Sequence, residues 1–263
     1  MNTSLQGQYA FVCGSTQGIG KATAEVLAQL GATITLLARN EGKLKAVRDA
    51  LPTPHQQVHD YIVADFNSPE VLGQKVADYL KKIDHPIHIL VNNTGGPPGG
   101  PIVEAAKDAF LSAFQLHLIS NHTLVQSLLP IMQQNGGGRI INVISTSVKA
   151  PLAGLGVSNT VRGAVGNWSK TLANELGKDN ITVNNVLPGA TATDRLTTII
   201  AKKAERTGKT EAEVAQQMRG AIPLQRFAEP QEVAHAIAFL ASPAASYITG
   251  INLPVDGGRT PNL

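Results

Sequence analysis

The stretch that decides the fold spans residues 9–40, YAFVCGSTQGIGKATAEVLAQLGATITLLARN. It begins with the apolar run YAFVCG and ends just after the apolar run TITLLA, and such runs predict two buried strands. Between them, residues 21–30 have the apolar spacing of an α-helix. A strand, a helix and a second strand form a βαβ unit, in which the crossover makes the two strands parallel.

The turn between the first strand and the helix is rich in glycine, with CGSTQGIG at residues 13–20. Gly14 permits a tight turn, Gly18 permits close approach of a ligand to the backbone, and Gly20 lets the helix pack on the strand. Free N–H groups and the dipole at the start of the helix then favour an anion such as a dinucleotide pyrophosphate. The residues of this turn that we expect to bind a dinucleotide are Gly14, Ser15, Thr16, Gln17, Gly18, Ile19 and Gly20.

The rest of the chain repeats the alternation of strand and helix. No linker and no internal repeat divides it, so residues 1–263 are predicted to form one domain. Further strands are predicted at residues 59–65, 87–93, 139–145, 181–187 and 247–255, and further helices at 41–51, 69–82, 107–134, 157–177 and 230–240. The predicted fold is α/β, a three-layer doubly wound Rossmann fold with a mainly parallel seven-stranded sheet.

Composition narrows the functional class. The formal net charge of +3 is too small to favour nucleic acid binding, and no apolar run is long enough to cross a membrane. No leader segment is apparent either, so we expect a cytoplasmic protein. One cysteine and scattered histidines leave no predicted metal site. The basic cluster in residues 202–209 is interleaved with glutamate, which is typical of a solvated helix face; the alternative is a surface that attracts an anionic substrate carrier.

Several short motifs follow the first strand in a fixed order. The glycine turn matches TGxxxGxG with Cys13 in place of the threonine, and NNTG (92–95), RIINVIS ending at Ser145, VNNVLPG (183–189) and ITGINLPVDGG (248–258) come after it. On these motifs the chain resembles the short-chain dehydrogenase/reductase family over about residues 8–258, and within it the 3-oxoacyl carrier-protein reductase branch. The resemblance implies an oxidoreductase with a nicotinamide dinucleotide cofactor and a small-molecule substrate.

The resemblance also extends the expected cofactor site. Asp65 and Phe66 would border the adenine. In the family, a threonine hydroxyl ties the first turn to the NNAG loop, and the thiol of Cys13 is a poorer donor, so we expect a weaker tie here. The residues implied at the adenosine ribose are Asn93, Thr94 and Gly95, and those implied at the nicotinamide end are Pro188, Gly189, Thr191 and Thr193.

The end of the second strand bears on the choice of cofactor. Ala38 stands where an NAD-preferring enzyme would have an acidic residue, and Arg39 follows it. Because an arginine can pair with a 2′-phosphate, we expect NADP(H) to be preferred over NAD(H). The alternative is a surface arginine bonded to helix ends.

The family's catalytic tetrad is altered. Ser145 matches the serine that polarises the substrate carbonyl, but Ser158 stands at the tyrosine position, Arg162 at the lysine position and His117 at the asparagine position. A serine is a poor general acid or base, whereas an arginine keeps its charge and can still bind ribose hydroxyls. His117 can relay a proton, or it can be a packed histidine bonded to a carbonyl. We take these four residues as the predicted catalytic set, with Arg162 also binding cofactor.

Three functions remain open on this evidence. The first is an NADP(H)-dependent oxidoreductase with an altered tetrad, acting on a ketone, an alcohol or a 3-oxoacyl-type substrate. The second is a weakly active or inactive NADP(H)-binding sensor or assembly protein. The third is a reductase of enoyl or dienoyl double bonds, since a dienoyl-reducing branch of the family also has serine at the tyrosine position. Enzymatic activity is therefore an open question with catalysis favoured.

Two expectations concern the surroundings of the site. Residues 192–222 predict two short helices that would form a substrate lid, and the loop at residues 95–101 would border the substrate cleft. The apolar helices at residues 109–132 and 161–176 have more hydrophobic surface than one sheet face should cover. In the family these helices pair between subunits, so we predict a homotetramer, with a dimer as the alternative.

Overall fold

The fold is built on one parallel sheet, as seen in a computed structural model that describes residues 1–262. The sheet has seven strands in the order β3-β2-β1-β4-β5-β6-β7, and all neighbouring pairs are parallel. This confirms the predicted doubly wound Rossmann fold. The strands are β1 (Tyr9–Cys13), β2 (Thr33–Ala38), β3 (Asp60–Val63), β4 (Ile89–Asn92), β5 (Gly138–Val143), β6 (Ile181–Pro188) and β7 (Asn252–Val255).

Helices cover both faces of this sheet. One face packs against α1, α2 and α9, and the other against α3, α5 and α6. No helix within residues 1–262 is both long and apolar enough to cross a membrane. The helices are α1 (Gly18–Gln29), α2 (Glu41–Ala50), α3 (Pro69–Leu80), α4 (Lys107–Phe114), α5 (Ser120–Gln134), α6 (Gly156–Leu176), α7 (Asp194–Thr207), α8 (Glu211–Gly220) and α9 (Pro230–Ala241).

The first strand shows why its sequence is a continuous apolar run. Ala10 and Val12 point into the core on the α1 side, whereas Phe11 and Cys13 point into the core on the opposite side. Successive strand residues face opposite sides of a sheet, so a strand covered on both faces buries every side chain. The apolar runs that predicted the strands are thus explained by the two layers of helices.

The predicted helix at residues 107–134 is interrupted. A π-helical turn, Gln115–Ile119, separates α4 from α5, and His117 lies in it fully buried. The wider turn widens the spacing of the side chains and re-aims those that follow. Apolar periodicity continues through the interruption, which is why the sequence predicts one helix.

The apolar side of α6 corrects a second expectation. Val161, Val165, Leu172 and Leu176 are all buried within the chain, so residues 161–176 do not present surplus hydrophobic surface. The α4 region differs, because Leu111 is 67% exposed.

A row of asparagines crosses four strands in register. Asn92 pairs with Asn142 of the next strand, Asn142 with Asn185, and Asn185 with Asn252. Their side chains hydrogen-bond in series at 2.8, 3.1 and 2.8 Å. Asn142 also donates to Ser169 Oγ of α6 at 2.9 Å. The amide nitrogens of Asn92, Asn142 and Asn185 therefore find partners, although Asn92 Oδ1 has none within the described residues. The row fastens β4, β5, β6 and β7 together near the ligand-binding end of the sheet.

Candidate active site

The glycine turn after β1 is packed directly against the loop after β4. Gly14 has a φ of +58°, and a Cβ atom placed on it would lie 2.6 Å from the carbonyl oxygen of Asn93. A Cβ atom on Gly20 would overlap the carbonyl of Gly14. Glycine is required at both positions because no side chain fits between the two backbones. The predicted turn and the NNTG loop therefore lie together at the carboxyl ends of β1 and β4.

The start of α1 fits an anionic group. Gln17 occupies the position before the helix, but its side chain makes no capping bond. Ser15 lies in the same turn, and its buried Oγ has no hydrogen-bond partner within the described chain. Uncapped N–H groups and an orphaned hydroxyl are what a pyrophosphate would satisfy. The residues present thus fit the dinucleotide predicted from the sequence.

The tie between this turn and the NNTG loop comes from Asn93. Its Nδ2 donates to the carbonyl oxygens of Cys13 and Gly14 at 3.2 and 3.4 Å. The thiol of Cys13 is buried, and burial raises its pKa although a hydrogen bond from the backbone of Asn93 lowers it. The sequence predicted a weakened tie because the threonine is absent, and the structure shows that a side-chain amide makes a tie from the opposite loop.

The adenosine side of the cleft contains Arg39, Asp65 and Phe66. Arg39 is exposed after β2, and its side chain makes no hydrogen bond or ion pair within residues 1–262. Bonding of Arg39 to helix ends, the alternative weighed above, is therefore not seen. Asp65 Oδ1 accepts from the N–H of Asn67 at 3.0 Å. Phe66 is only 5% exposed and packs in the core, so it can border an adenine only through its main chain.

Ser145 follows β5 and begins a short 3₁₀ turn. Its Oγ accepts from the N–H of Ser147 at 3.1 Å, and this bond fixes the rotamer of the side chain. Within residues 1–262 the hydroxyl donates no hydrogen bond of its own, so its proton is available to a ligand. The side chain is half-buried at the carboxyl end of the sheet, which suits a donor to a substrate carbonyl oxygen.

Arg162 is a buried cation next to this serine. It is 7% exposed, its Nη1 donates to the carbonyl of Val143 at 3.1 Å, and its Nε has no partner. Burial, and then the charge of Arg195, lower the pKa of Arg162 to about 10. Ser158 lies one turn earlier on α6 and makes no side-chain hydrogen bond within the part of the chain that the structure describes. The two substituted positions thus share one helix face.

The surroundings of His117 favour its neutral form. Its Nδ1 is 2.5 Å from Oγ1 of Thr94, and its buried Nε2 has no partner. Burial, followed by the charges of Arg162 and Arg195, lowers the pKa of His117 to about 2. An imidazolium is therefore absent at ordinary pH, and any proton transfer at this position would pass between Thr94 and a neutral ring. Of the two predicted roles, the packed histidine agrees better with this structure, although the partner of His117 is a hydroxyl and not a carbonyl.

The nicotinamide-end residues lie between β6 and α7. The N–H of Gly189 donates to Val255 O at 2.9 Å, and Thr191 Oγ1 donates to Gly189 O at 3.3 Å. Thr193 precedes α7, and its Oγ1 accepts from the N–H of Leu196 at 3.4 Å. Its Cγ2 would be 3.1 Å from a Cβ atom on Gly18. The segment that leads into the predicted lid therefore covers the glycine turn.

Two residues near the site were not predicted from the sequence. Arg195, in the first turn of α7, donates from Nη2 to the carbonyl of Pro97 at 2.8 Å. Asn159 ties α6 to the preceding loop, because its side chain donates to Leu152 O at 2.8 Å and accepts from Leu152 N–H at 3.3 Å. A cation in the first turn of a helix opposes the helix dipole, and that conflict was the available signal for Arg195.

The fold and this cleft define a dinucleotide-binding protein of the Rossmann type. Comparison with known proteins gives the family. Residues 14–260 match the family model described as enoyl-(acyl carrier protein) reductase, and the chain belongs to the short-chain dehydrogenase/reductase family. The recognition of this family from sequence motifs is therefore confirmed.

Individual relatives extend over nearly the whole chain. The 3-oxoacyl-[acyl-carrier-protein] reductase of Aquifex aeolicus is 31% identical over 98% of this chain and 99% of its own. L-sorbose reductase from Gluconobacter frateurii, solved with NADPH and L-sorbose, is 32% identical with a TM-score of 0.93 over all of both chains. A 7α-hydroxysteroid dehydrogenase solved with NADH is 30% identical with a TM-score of 0.88, covering 98% of this chain and 96% of that one. NADPH and NADH thus both occur as cofactors among the relatives.

Three histidines with a lowered pKa lead to a prediction about stability at acid pH. His59 and His88 accept a backbone N–H at Nδ1, each at 3.0 Å, and burial lowers the pKa of both, as it does for His117. Their folded pKa values lie below the unfolded value, so only the unfolded chain takes up protons as the pH falls below about 6.5. We expect the free energy of unfolding to fall between pH 7 and pH 5, by about 1.4 kcal/mol per pH unit for each histidine that stays neutral.

Urea unfolding at a fixed protein concentration measures this. The variant His117→Gln should show a shallower pH slope by about one proton, whereas His235→Gln, at an exposed position, should keep the slope of the parent. An unchanged slope in His117→Gln would show that His117 is protonated in the folded protein.

Proposed function

We propose that this protein is an NADP(H)-dependent reductase that acts on a ketone, an alcohol or a 3-oxoacyl-type substrate with an altered catalytic tetrad. The observation that carries the proposal is that the uncapped start of α1 lies at the carboxyl end of β1, while the half-buried Ser145 and the buried Arg162 lie at the carboxyl end of β5, with only β4 between the two strands. Membership of the family supports hydride transfer as the chemistry that a bound nicotinamide supplies.

Each residue has a distinct task in this proposal. Ser145 donates a hydrogen bond from its hydroxyl group to the substrate carbonyl oxygen and stabilises the negative charge that develops there. Arg162 binds ribose hydroxyls and adds a fixed positive charge. Ser158 is within one helical turn of Arg162 and can hydrogen-bond, but it cannot act as the phenol does. The proton must then come from water or through Thr94 and His117.

Reduction of a conjugated carbon–carbon double bond is the second candidate. It is favoured by a specific observation, the buried charge of Arg162 together with a serine where a tyrosine would donate a proton. Hydride addition to an enone produces an enolate, which a neighbouring cation and Ser145 would stabilise, while the carbon can take its proton from water. A ketone reduced at oxygen needs a positioned proton donor more strongly.

The segment at residues 192–222 is proposed to be the substrate lid. Its helices α7 and α8 pack on each other through a small apolar cluster of their own that includes Leu196, Ile200 and Val214. That cluster is separate from the two sheet cores. A unit held by its own contacts can move without disturbing the sheet, which is what a lid requires.

Cofactor preference tests the role proposed for Arg39. The variant Arg39→Ala should weaken NADPH binding by about 10- to 100-fold, because a charge-assisted contact to the 2′-phosphate is lost, and should leave NADH binding unchanged. Calorimetric titration of both cofactors measures this. Arg48→Ala, at a half-buried arginine of α2 that pairs with Asp49, is the matched control. An equal loss for NADPH and NADH would contradict a phosphate contact.

Turnover tests the role proposed for Ser145. With a panel of 3-oxoacyl, diketone and enoyl thioester substrates, Ser145→Ala should lower the rate of NADPH oxidation by about 10²- to 10³-fold without changing NADPH affinity. Ser158→Ala should have a smaller effect. NADPH absorbance reports the rate, and the product shows whether oxygen or carbon was reduced. Tight NADPH binding with no turnover across the panel would favour the sensor or assembly protein.

A homotetramer, with a dimer as the alternative, is the proposed assembly. Leu111, Phe114 and Ile119 are 67%, 39% and 40% exposed on the α4 side, and contiguous apolar surface favours association. Light scattering at micromolar concentration should give the mass of the tetramer, or of the dimer, and Leu111→Asp should reduce that mass. Leu224→Asp, at a position 63% exposed elsewhere, should not. A monomer throughout would contradict the proposal.

A further inference from the structure

Arg195 carries a positive charge into the substrate side of the cleft. Its guanidinium lies on the loop after β4, where Nη2 bonds Pro97 and stands 2.8 Å from the position of a Cβ atom on Gly96. A side chain at Gly96 would displace it. One N–H is used by Pro97, and the other guanidinium N–H groups have no hydrogen-bond partner within residues 1–262. The exposed side of Arg195 can therefore receive a ligand.

Arg162 adds a second, buried charge close to the first. Arg195 bonds the loop after β4 and Arg162 bonds the end of β5, and these two strands are neighbours in the sheet. In keeping with this placement, the charge of Arg195 contributes, after burial, to the lowered pKa of Arg162. Both charges also depress the pKa of His117. Within the described residues, neither arginine forms a hydrogen bond or an ion pair with a carboxylate.

Within residues 1–262, the cleft therefore holds two cations and no carboxylate bonded to either of them. His117 is neutral, and Ser158 cannot supply the negative charge that a tyrosine at its position can supply. A buried guanidinium without an anion is strongly unfavourable. The phosphate-binding groups of the cofactor site, the start of α1 and Arg39, lie at the ends of β1 and β2, whereas Arg162 lies against β5. The missing anion must then belong to the substrate.

We propose that Arg195 binds a carboxylate of the substrate, with Arg162 providing the second positive charge. The planar guanidinium suits a carboxylate, which accepts two parallel N–H bonds. The substrate class is thus an oxo acid or a conjugated oxo acid, with its carbonyl at Ser145. This assignment rests on the proposed reductase function, because it names the substrate of the same site.

The part of such a substrate beyond its oxo acid group can occupy a cavity. A largely apolar cavity of about 430 Å³ opens between the loop after β4 and the start of α6, with Pro101, Ile102 and Leu152 in its wall. The same loop carries Pro97, which holds Arg195, and Gly100, which bonds the backbone at Gly154 and Gly156. The loop after β4 therefore both holds the guanidinium of Arg195 and forms part of the apolar wall of the cavity. The site fits a monocarboxylate with an apolar body.

The experiment compares acids with their neutral esters. The probes are phenylpyruvate, benzoylacetate and 4-phenyl-2-oxobut-3-enoate, each with its methyl ester, at matched ionic strength. Calorimetry measures their binding to the NADPH complex, so the result does not depend on turnover. At least one acid should bind the parent about 10- to 100-fold more tightly than its ester. In Arg195→Gln this preference should fall about tenfold, leaving the part that the charge of Arg162 supplies, while ester and NADPH affinities stay unchanged, and Arg195→Lys should restore part of the loss.

Lys209→Gln, an exposed lysine after α7, is the control for a loss of general surface charge and should keep the preference. If no acid binds more tightly than its ester, or if Arg195→Gln weakens acid and ester equally, the carboxylate site is wrong. That result leaves the reductase proposal standing wherever NADPH is still oxidised with neutral substrates. Conversely, acid-selective binding that needs Arg195, without any NADPH oxidation, would support the carboxylate site and remove the reductase proposal.

Discussion

The contact between two backbones, the glycine turn after β1 and the loop at Asn93, is the constraint on which the site depends. Because no Cβ atom fits at Gly14 or Gly20, the turn can close against the neighbouring loop and against its own helix. The amide of Asn93 then joins the two segments. Once they are joined, the start of α1, the Thr94 hydroxyl and the His117 ring fall on one edge of the sheet. The rest of the chemistry is arranged around that edge.

In the proposed site, Ser158 and Arg162 stand at the positions of the family's tyrosine and lysine, which changes the electrostatics of the site. In the usual pair, a phenol can lose its proton beside an ammonium group, so the pair can approach neutrality. Here the cation is permanent and its neighbour on the helix cannot ionise. Such a site is better prepared to hold an anion than to pass a proton. The substitutions therefore shift the work of the cleft from acid–base chemistry toward charge stabilisation.

The sequence predicts the parts of this molecule that depend on local pattern. Strands and helices follow from apolar spacing, and the turn at Gly14 follows from its position between a strand and a helix. The π turn around His117 is missed because apolar spacing runs through it. The position of Arg195 against Pro97 is missed because these residues are 98 positions apart and meet only after folding. Phe66 is predicted to border the adenine, but burial of its side chain depends on the packing of two helices and does not follow from local pattern.

The asparagine row has a consequence for how the sheet can assemble. A parallel sheet buried on both faces is apolar throughout, so strands shifted along one another would still bury similar side chains. The amides of Asn92, Asn142, Asn185 and Asn252 remove that freedom. A shift of one residue would send a carboxamide to the opposite face, unpaired in hydrocarbon. The row thus specifies the register of the four strands, because any other register leaves buried amides without partners.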